Sequence, residues 1–183
     1  HGGKDFGFEV QGLKLDFSAA VRRSRQVADR LVRGVGFLMK KNKIEVHMGA
    51  AVFVDAHTVE VTDASGTKTT LKAGNIIIAT GASPMLLPGV QADGKHVLTY
   101  LEAIVQDRLP KSVVVIGASA IGCEFATVWS SYGVEVTLVE MLPRVAPLED
   151  EEVSQELEKL YSKMGFDVRT NTRVERIERT DDG

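Results

Sequence analysis

Apolar residues recur along this 183-residue chain with two different periods. Val21, Val27, Ala28, Leu31, Val32, Val35 and Leu38 return at helical spacing, and Arg22, Arg23, Arg25 and Arg30 fall mostly off that face. The pattern predicts a long amphipathic helix over residues 18–41. Ser18 is its expected N-cap and Asn42 its expected C-cap. Gly34 and Gly36 weaken its last third by roughly 1 kcal/mol each.

A period of two follows. IEVHM (44–48), AVFVD (51–55), TVEVT (58–62) and TTLKA (69–73) are predicted strands. Gly49, Asp55-Ala56-His57 and Asp63-Ala64-Ser65-Gly66 separate them. Alternation within TVEVT suits a half-buried strand of a small antiparallel meander. In NIIIATGASP (75–84), Ile76–Ile78 form a wholly apolar run, expected as a buried strand ending on Thr80-Gly81, and Pro84 and Pro88 prevent its continuation. Residues 85–110 are a connection with one short helix, about Tyr100–Gln106.

Beyond Pro110 the order becomes strand, helix, strand, helix, strand. Val113–Ile116 is a buried strand, a helix follows Gly117, and a second strand ends on Glu140. MLPRVAPLED is a loop, and 150–164 a helix whose Asp150, Glu151 and Glu152 sit where the helix dipole favours negative charge. Gly165 ends it, and FDVRT (166–170) and RVERIERT (173–180) are the last expected strands. This alternation predicts an α/β fold with a parallel sheet.

Composition narrows the class. Hydrophobic residues make up 44% and charged residues 26%, enough apolar content for a core. A net charge of −3 argues against nucleic acid or an anionic membrane as the main partner. No apolar run approaches the roughly 20 residues of a membrane span. Cys123 is the one cysteine, which rules out an intrachain disulfide and suits a cytoplasmic setting. The start, HGGKDFGFEV, carries neither an initiator Met nor a signal-peptide pattern, and the end, TDDG, is a turn signal, so both ends read as cut. His1, His47, His57 and His96 have no catalytic or metal-ligand spacing, and no metal site is expected. The basic clusters at Arg22–Arg25 and Lys40–Lys43 suit a solvated helix face and its end.

The candidate chemistry lies in Ser112–Glu140. A dinucleotide-binding turn uses G-x-G-x-x-G: the first glycine for the tight turn, the second for close approach of a pyrophosphate, the third for helix–strand packing. Here the six residues are Gly117, Ala118, Ser119, Ala120, Ile121 and Gly122, so a serine stands at the second glycine position. Ser119 either narrows the gap to the phosphates or donates its hydroxyl to one. The helix start would offer free N–H groups to the pyrophosphate. Glu140 follows Gly122 by 18 positions, close to the spacing of the acid that accepts from the adenosine ribose 2′-OH. A carboxylate there repels a 2′-phosphate, which favours NAD over NADP. Glu124, on the first helical turn, is either a dipole-favoured acid or a residue near the nicotinamide. Cys123 suits a small packing residue. A purely structural βαβ turn is the competing reading.

NIIIATGASP, a Pro-containing linker, VVVIGASAIGCEFA and VTLVEMLPRVAPLEDEEVSQEL together resemble the pyridine nucleotide–disulfide oxidoreductases, most closely the middle of the dihydrolipoamide dehydrogenases. The likeness extends over essentially the whole chain, including KKNKIEVHMGAAVF. It implies parts of two Rossmann-like domains binding FAD and NAD(P), the first containing the small antiparallel meander. Residues 1–108 would be part of the FAD domain and 109–183 part of the NAD domain. By motif, Thr80, Gly81 and Ala82 would line FAD through backbone, as would Ala51; an ordinary strand-to-loop turn is the other reading of Thr80–Ala82. Gly117 through Glu124, with Glu140 and Val174, would bind NAD. Serine at the position of Ser119 also occurs in mercuric reductases of the family.

The implied reaction passes electrons from a dithiol, dihydrolipoamide, through a disulfide and flavin to NAD+. The implied partners are a second subunit in a homodimer and the lipoyl domain of a 2-oxo acid dehydrogenase complex. The family's Cys-x4-Cys redox pair and C-terminal His-Glu pair are absent from these 183 residues, so no catalytic residue is assigned. The alternatives are a non-catalytic nucleotide-binding fragment, or another reductase of the family such as mercuric or glutathione reductase.

Overall fold

The computed structural model describes residues 3–178. His1 and the TDDG end lie outside them. The chain divides into two compact units, one within His1–Arg25 and Pro84–Gly183 and the other spanning Gln26–Ser83.

After a short 3-10 turn (Gly3–Phe6), helix α1 runs from Phe17 to Lys41. Its N-terminus is capped by Asp16, not by the expected Ser18. The Asp16 carboxylate accepts from the Ala19 N–H at 2.9 Å and from the Ser18 hydroxyl at 3.1 Å. An ionised oxygen outcompetes a hydroxyl at the positive end of a helix. At the other end the Asn42 side chain donates to the Leu38 carbonyl at 2.8 Å, and Lys43 takes a left-handed φ of 57°. No residue of α1 is buried, and its apolar stripe is open, with Leu31 and Val32 65% and 71% exposed.

In the second unit, β1 (Ala50–Asp55), β2 (Thr58–Thr62) and β3 (Lys68–Lys72) form the expected antiparallel meander. Asp55 accepts from the His57 N–H in the first turn, and β1 slips register between Phe53 and Asp55. Asp63 accepts from the N–H groups of Ser65 and Thr67 in the second turn, and Gly66 supplies the left-handed residue. On β2, Thr58 and Val61 are buried. Gly49 lies so close to the Thr62 carbonyl that a side chain there would collide with it.

Two expected strands are not formed here. Residues 44–48 and 76–78 pair with no strand among the described residues, and Ile77 is 90% exposed. An apolar run becomes a strand only when a neighbour completes its hydrogen-bond ladder. The expected strand over 173–180 is likewise unpaired through residue 178, and its last two positions lie outside the described residues.

The first unit holds the parallel sheet. Its short helix α2 (Tyr100–Ala103) carries a full capping box between Thr99 and Glu102 and is shorter than expected. Strands β4 (Ser112–Ile116), β5 (Glu135–Val139) and β6 (Asp167–Arg169) follow in the order β4-β5-β6. Helix α3 (Ala120–Ser131) packs on β4 and β5, and α4 (Glu151–Lys163) on β6. Asp150 caps α4, accepting from the N–H groups of Glu152 and Val153, and Gly165 turns the chain at φ 88°. The core gathers Cys123, Ala126 and Trp129 of α3, Val136 and Leu138 of β5, and Tyr161 and Phe166, whose rings stack at 4.6 Å. Burial of Leu138, which is fully enclosed, stabilises this unit by about 1.5–3 kcal/mol. Among the described residues no helix is long and apolar enough to cross a membrane.

Strand β4 is an edge of its sheet, and Val114 is 61% exposed on the face opposite Val113 and Val115. Open apolar edges recruit further strands. The 183-residue chain is therefore expected to self-associate in analytical ultracentrifugation, with Val114→Lys shifting it toward monomer. A wild-type chain that stays monomeric at all concentrations would contradict this.

Candidate nucleotide-binding site

The turn after β4 is shaped by two glycines. Gly117 adopts φ 100°, a left-handed conformation that strains any side chain. Gly122 sits on the first turn of α3 against the Gly117 carbonyl, and a Cβ there would collide with that oxygen and press on Val115. The third glycine of the motif is thus required by contact between helix and turn, as the spacing predicts.

Between them, Ala118 is fully buried, and both its N–H and its carbonyl are held. Its N–H donates to the Glu140 carboxylate at 2.8 Å. Its carbonyl accepts from the Ala146 N–H at 2.7 Å and from the Cys123 thiol at 3.2 Å. The next four N–H groups, of Ser119, Ala120, Ile121 and Gly122, have no acceptor among the described residues. These are the orphan donors of a helix start. Ser119 is the N-cap residue of α3, yet its side chain makes no capping hydrogen bond, and the residue is exposed.

Glu140 ends the second strand as expected, and it is only 8% exposed. One carboxylate oxygen accepts from Ala118; the other accepts from the Leu142 N–H at 2.8 Å. A carboxylate has about four lone-pair sites, so each oxygen retains acceptor capacity. The chain after β6 passes beside it: the Thr172 N–H donates to the Glu140 carbonyl and the Asn171 N–H to that of Leu142. Val174, half-buried, lies two residues further on. Gly117–Glu124, Glu140 and the approach to Val174 are therefore brought together in one unit.

Cys123 is buried, and burial pushes its thiol above the ordinary range. Its side chain serves the core and the Ala118 carbonyl, so any contact with a ligand falls to its backbone. Burial also pushes the Tyr161 phenol up to about 12, keeping it protonated to donate to the Cys123 carbonyl at 3.4 Å. Glu124 is exposed and borders a shallow groove with Thr127, Val128 and Tyr161. The four residues expected beside FAD lie in the other unit, all exposed: Ala51 pairs with Val61 across β1 and β2, and Thr80, Gly81 and Ala82 lie outside helix and strand, with Gly81 at φ 78°. Sequence reasoning missed Ala146, an alanine at positive φ whose backbone role has no signature in its side chain. No group of three potential metal ligands occurs among the described residues.

Residues 7–183 match the family model described as pyridine nucleotide-disulphide oxidoreductase. The chain belongs to this family. Similar curated members include a dihydrolipoyl dehydrogenase of Mycobacterium leprae, 48% identical over 178 residues (95% of this chain and 38% of that protein). Another, from Chlorobaculum parvum, is 40% identical over 170 residues (93% of this chain and 36% of that protein). Among solved structures, LpdA from Mycobacterium tuberculosis superposes with a TM-score of 0.87 at 27% identity, covering 97% of this chain and 39% of that one. The HOCl-induced flavoprotein disulfide reductase RclA from Escherichia coli, in its Cu(II) complex, gives 0.74 at 25% identity, covering 91% of this chain and 38% of that one. The chain thus spans about two fifths of the length of such relatives, and its mixed α/β architecture is theirs.

Gly122→Ala is expected to force α3 away from the turn and to cost about 1–3 kcal/mol in denaturant unfolding. Wild-type stability in that variant would mean the close approach is not structural.

Proposed function

We propose that this chain supplies the NAD-binding unit and part of the FAD site of a dihydrolipoyl dehydrogenase-like flavoenzyme. Residues 109–183 form the NAD part and 1–108 the FAD part, and the redox disulfide lies outside the chain. With both cofactors in place, FAD would pass the electron pair of a dithiol to NAD+ as hydride. The intact enzyme acts as a homodimer on the lipoyl domain of a 2-oxo acid dehydrogenase complex, in the cytoplasm. The chain alone would be inactive toward dihydrolipoamide.

The observation that carries the NAD reading is the row of unpartnered N–H groups from Ser119 to Gly122 beside a carboxylate at the end of β5. Those donors suit a pyrophosphate, with the α3 dipole adding to the attraction. The second lone pairs of Glu140 suit the ribose hydroxyls, and its charge repels a 2′-phosphate. The free hydroxyl of Ser119 favours the donor role over mere crowding. Glu124 borders the nicotinamide end, and Val174 meets the adenine through main chain. For FAD, support comes from family membership and from the exposed backbone of Ala51 and Thr80–Ala82.

Calorimetric titration is expected to show tighter binding of NADH than of NADPH; equal affinity, or preference for NADPH, would contradict the role given to Glu140. Ser119→Ala should weaken NADH binding by about 0.5–1.5 kcal/mol, the net worth of one hydrogen bond. Unchanged or tighter binding would leave Ser119 as a space-filler.

A further inference from the structure

Glu140 does more in this structure than wait for a ribose. Its two oxygens hold the Ala118 and Leu142 N–H groups at 2.8 Å each, joining the turn after β4 to the end of β5. Ala118 is the residue between the tight turn at Gly117 and the first free donor at Ser119. Its N–H belongs to the Gly117–Ala118 peptide and its carbonyl to the next one, Ala118–Ser119, which also carries the Ser119 N–H; both peptides must be fixed for that donor and the start of α3 to be aimed. Ala146 and Cys123 hold the Ala118–Ser119 peptide through its carbonyl, and Glu140 holds the Gly117–Ala118 peptide before it through its N–H. Glu140 is the acceptor of that N–H, and it is buried where water competes poorly.

We propose that Glu140 is a positioning residue for the phosphate-binding turn: it fixes the Ala118 N–H before nucleotide binds, and so contributes to pyrophosphate affinity independently of any ribose contact. The proposal rests on the nucleotide-site reading. It carries a consequence for specificity. Removing the carboxylate to admit a 2′-phosphate would also loosen the turn that both nucleotides share, so substitution at 140 alone lowers affinity for NADH and NADPH together.

The test pairs ADP with 2′,3′-dideoxy-ADP, which keeps the pyrophosphate and lacks both ribose hydroxyls. Glu140→Gln keeps the volume of the side chain but only one accepting oxygen, and leaves one N–H unpaired or facing an amide NH2. It is expected to weaken 2′,3′-dideoxy-ADP binding by about tenfold, and ADP binding by more. Unchanged affinity for the dideoxy compound, with weakened ADP binding, would overturn the positioning role while leaving the ribose role intact. Failure of the wild-type chain to bind ADP at all would instead sink the nucleotide-site reading. Amide hydrogen exchange in the ligand-free wild type is independent of how the variant folds. The Ala118 amide should be strongly protected while Ser119, Ala120 and Ile121 exchange fast; in Glu140→Gln the protection of Ala118 should fall while that of Leu138 in the core stays. Fast exchange at Ala118 in the wild type, or unchanged protection in the variant, would overturn the proposal.

Discussion

The unit that holds the parallel sheet depends on how closely α3 approaches the turn that feeds it. Gly122 leaves no room for a Cβ against the Gly117 carbonyl, and Gly117 occupies a backbone conformation that glycine alone adopts freely. Once the helix is that close, Ala118 is sealed in the interior, and each polar atom of its backbone must find a partner. The N–H finds Glu140, and the carbonyl finds Ala146 and Cys123. The four donors that follow are left for something else. A tight steric contact thus becomes an electrostatic feature, a row of N–H groups at the positive end of a helix.

The partners of Ala118 come from distant stretches of sequence. Glu140 closes β5, and Ala146 lies in the loop before α4, where its carbonyl also accepts from the Ser154 hydroxyl at 3.1 Å. The loop between β5 and α4 is therefore the backing of the turn after β4. The segment after β6 joins the same arrangement through Asn171 and Thr172. Each parallel strand of this sheet ends at one edge of the candidate site, as expected for ligands bound outside the carboxyl ends of strands in open α/β sheets.

What was legible in the sequence follows from which signals are local. The β4-α3-β5 unit, α4 with its acidic start and the strand TVEVT were readable because turn glycines, helix-end charges and alternation act within a few residues; that Asp150 is the cap of α4, not its first helical residue, was not. The runs 44–48 and 76–78 carry the same apolar signal, but no strand among the described residues pairs with them, and Ile77 stands exposed. Ser18 has the hydroxyl of a cap, but Asp16, two residues away, offers a charged oxygen. The spacing of Glu140 was readable; its bonds to Ala118 and Leu142 were not, because backbone N–H groups are the same at every residue. The family resemblance in ATGASP and GASAIG carried the FAD and NAD expectations further than periodicity could.

Chemical-shift mapping tests the central claim most directly. With isotope-labelled chain titrated with ADP, the amide shifts should concentrate at Ser119, Ala120, Ile121 and Gly122, with a smaller change at the end of β5 and near Val174. Shifts centred on the groove beside Glu124 and Tyr161, or none in the turn after β4, would contradict the account.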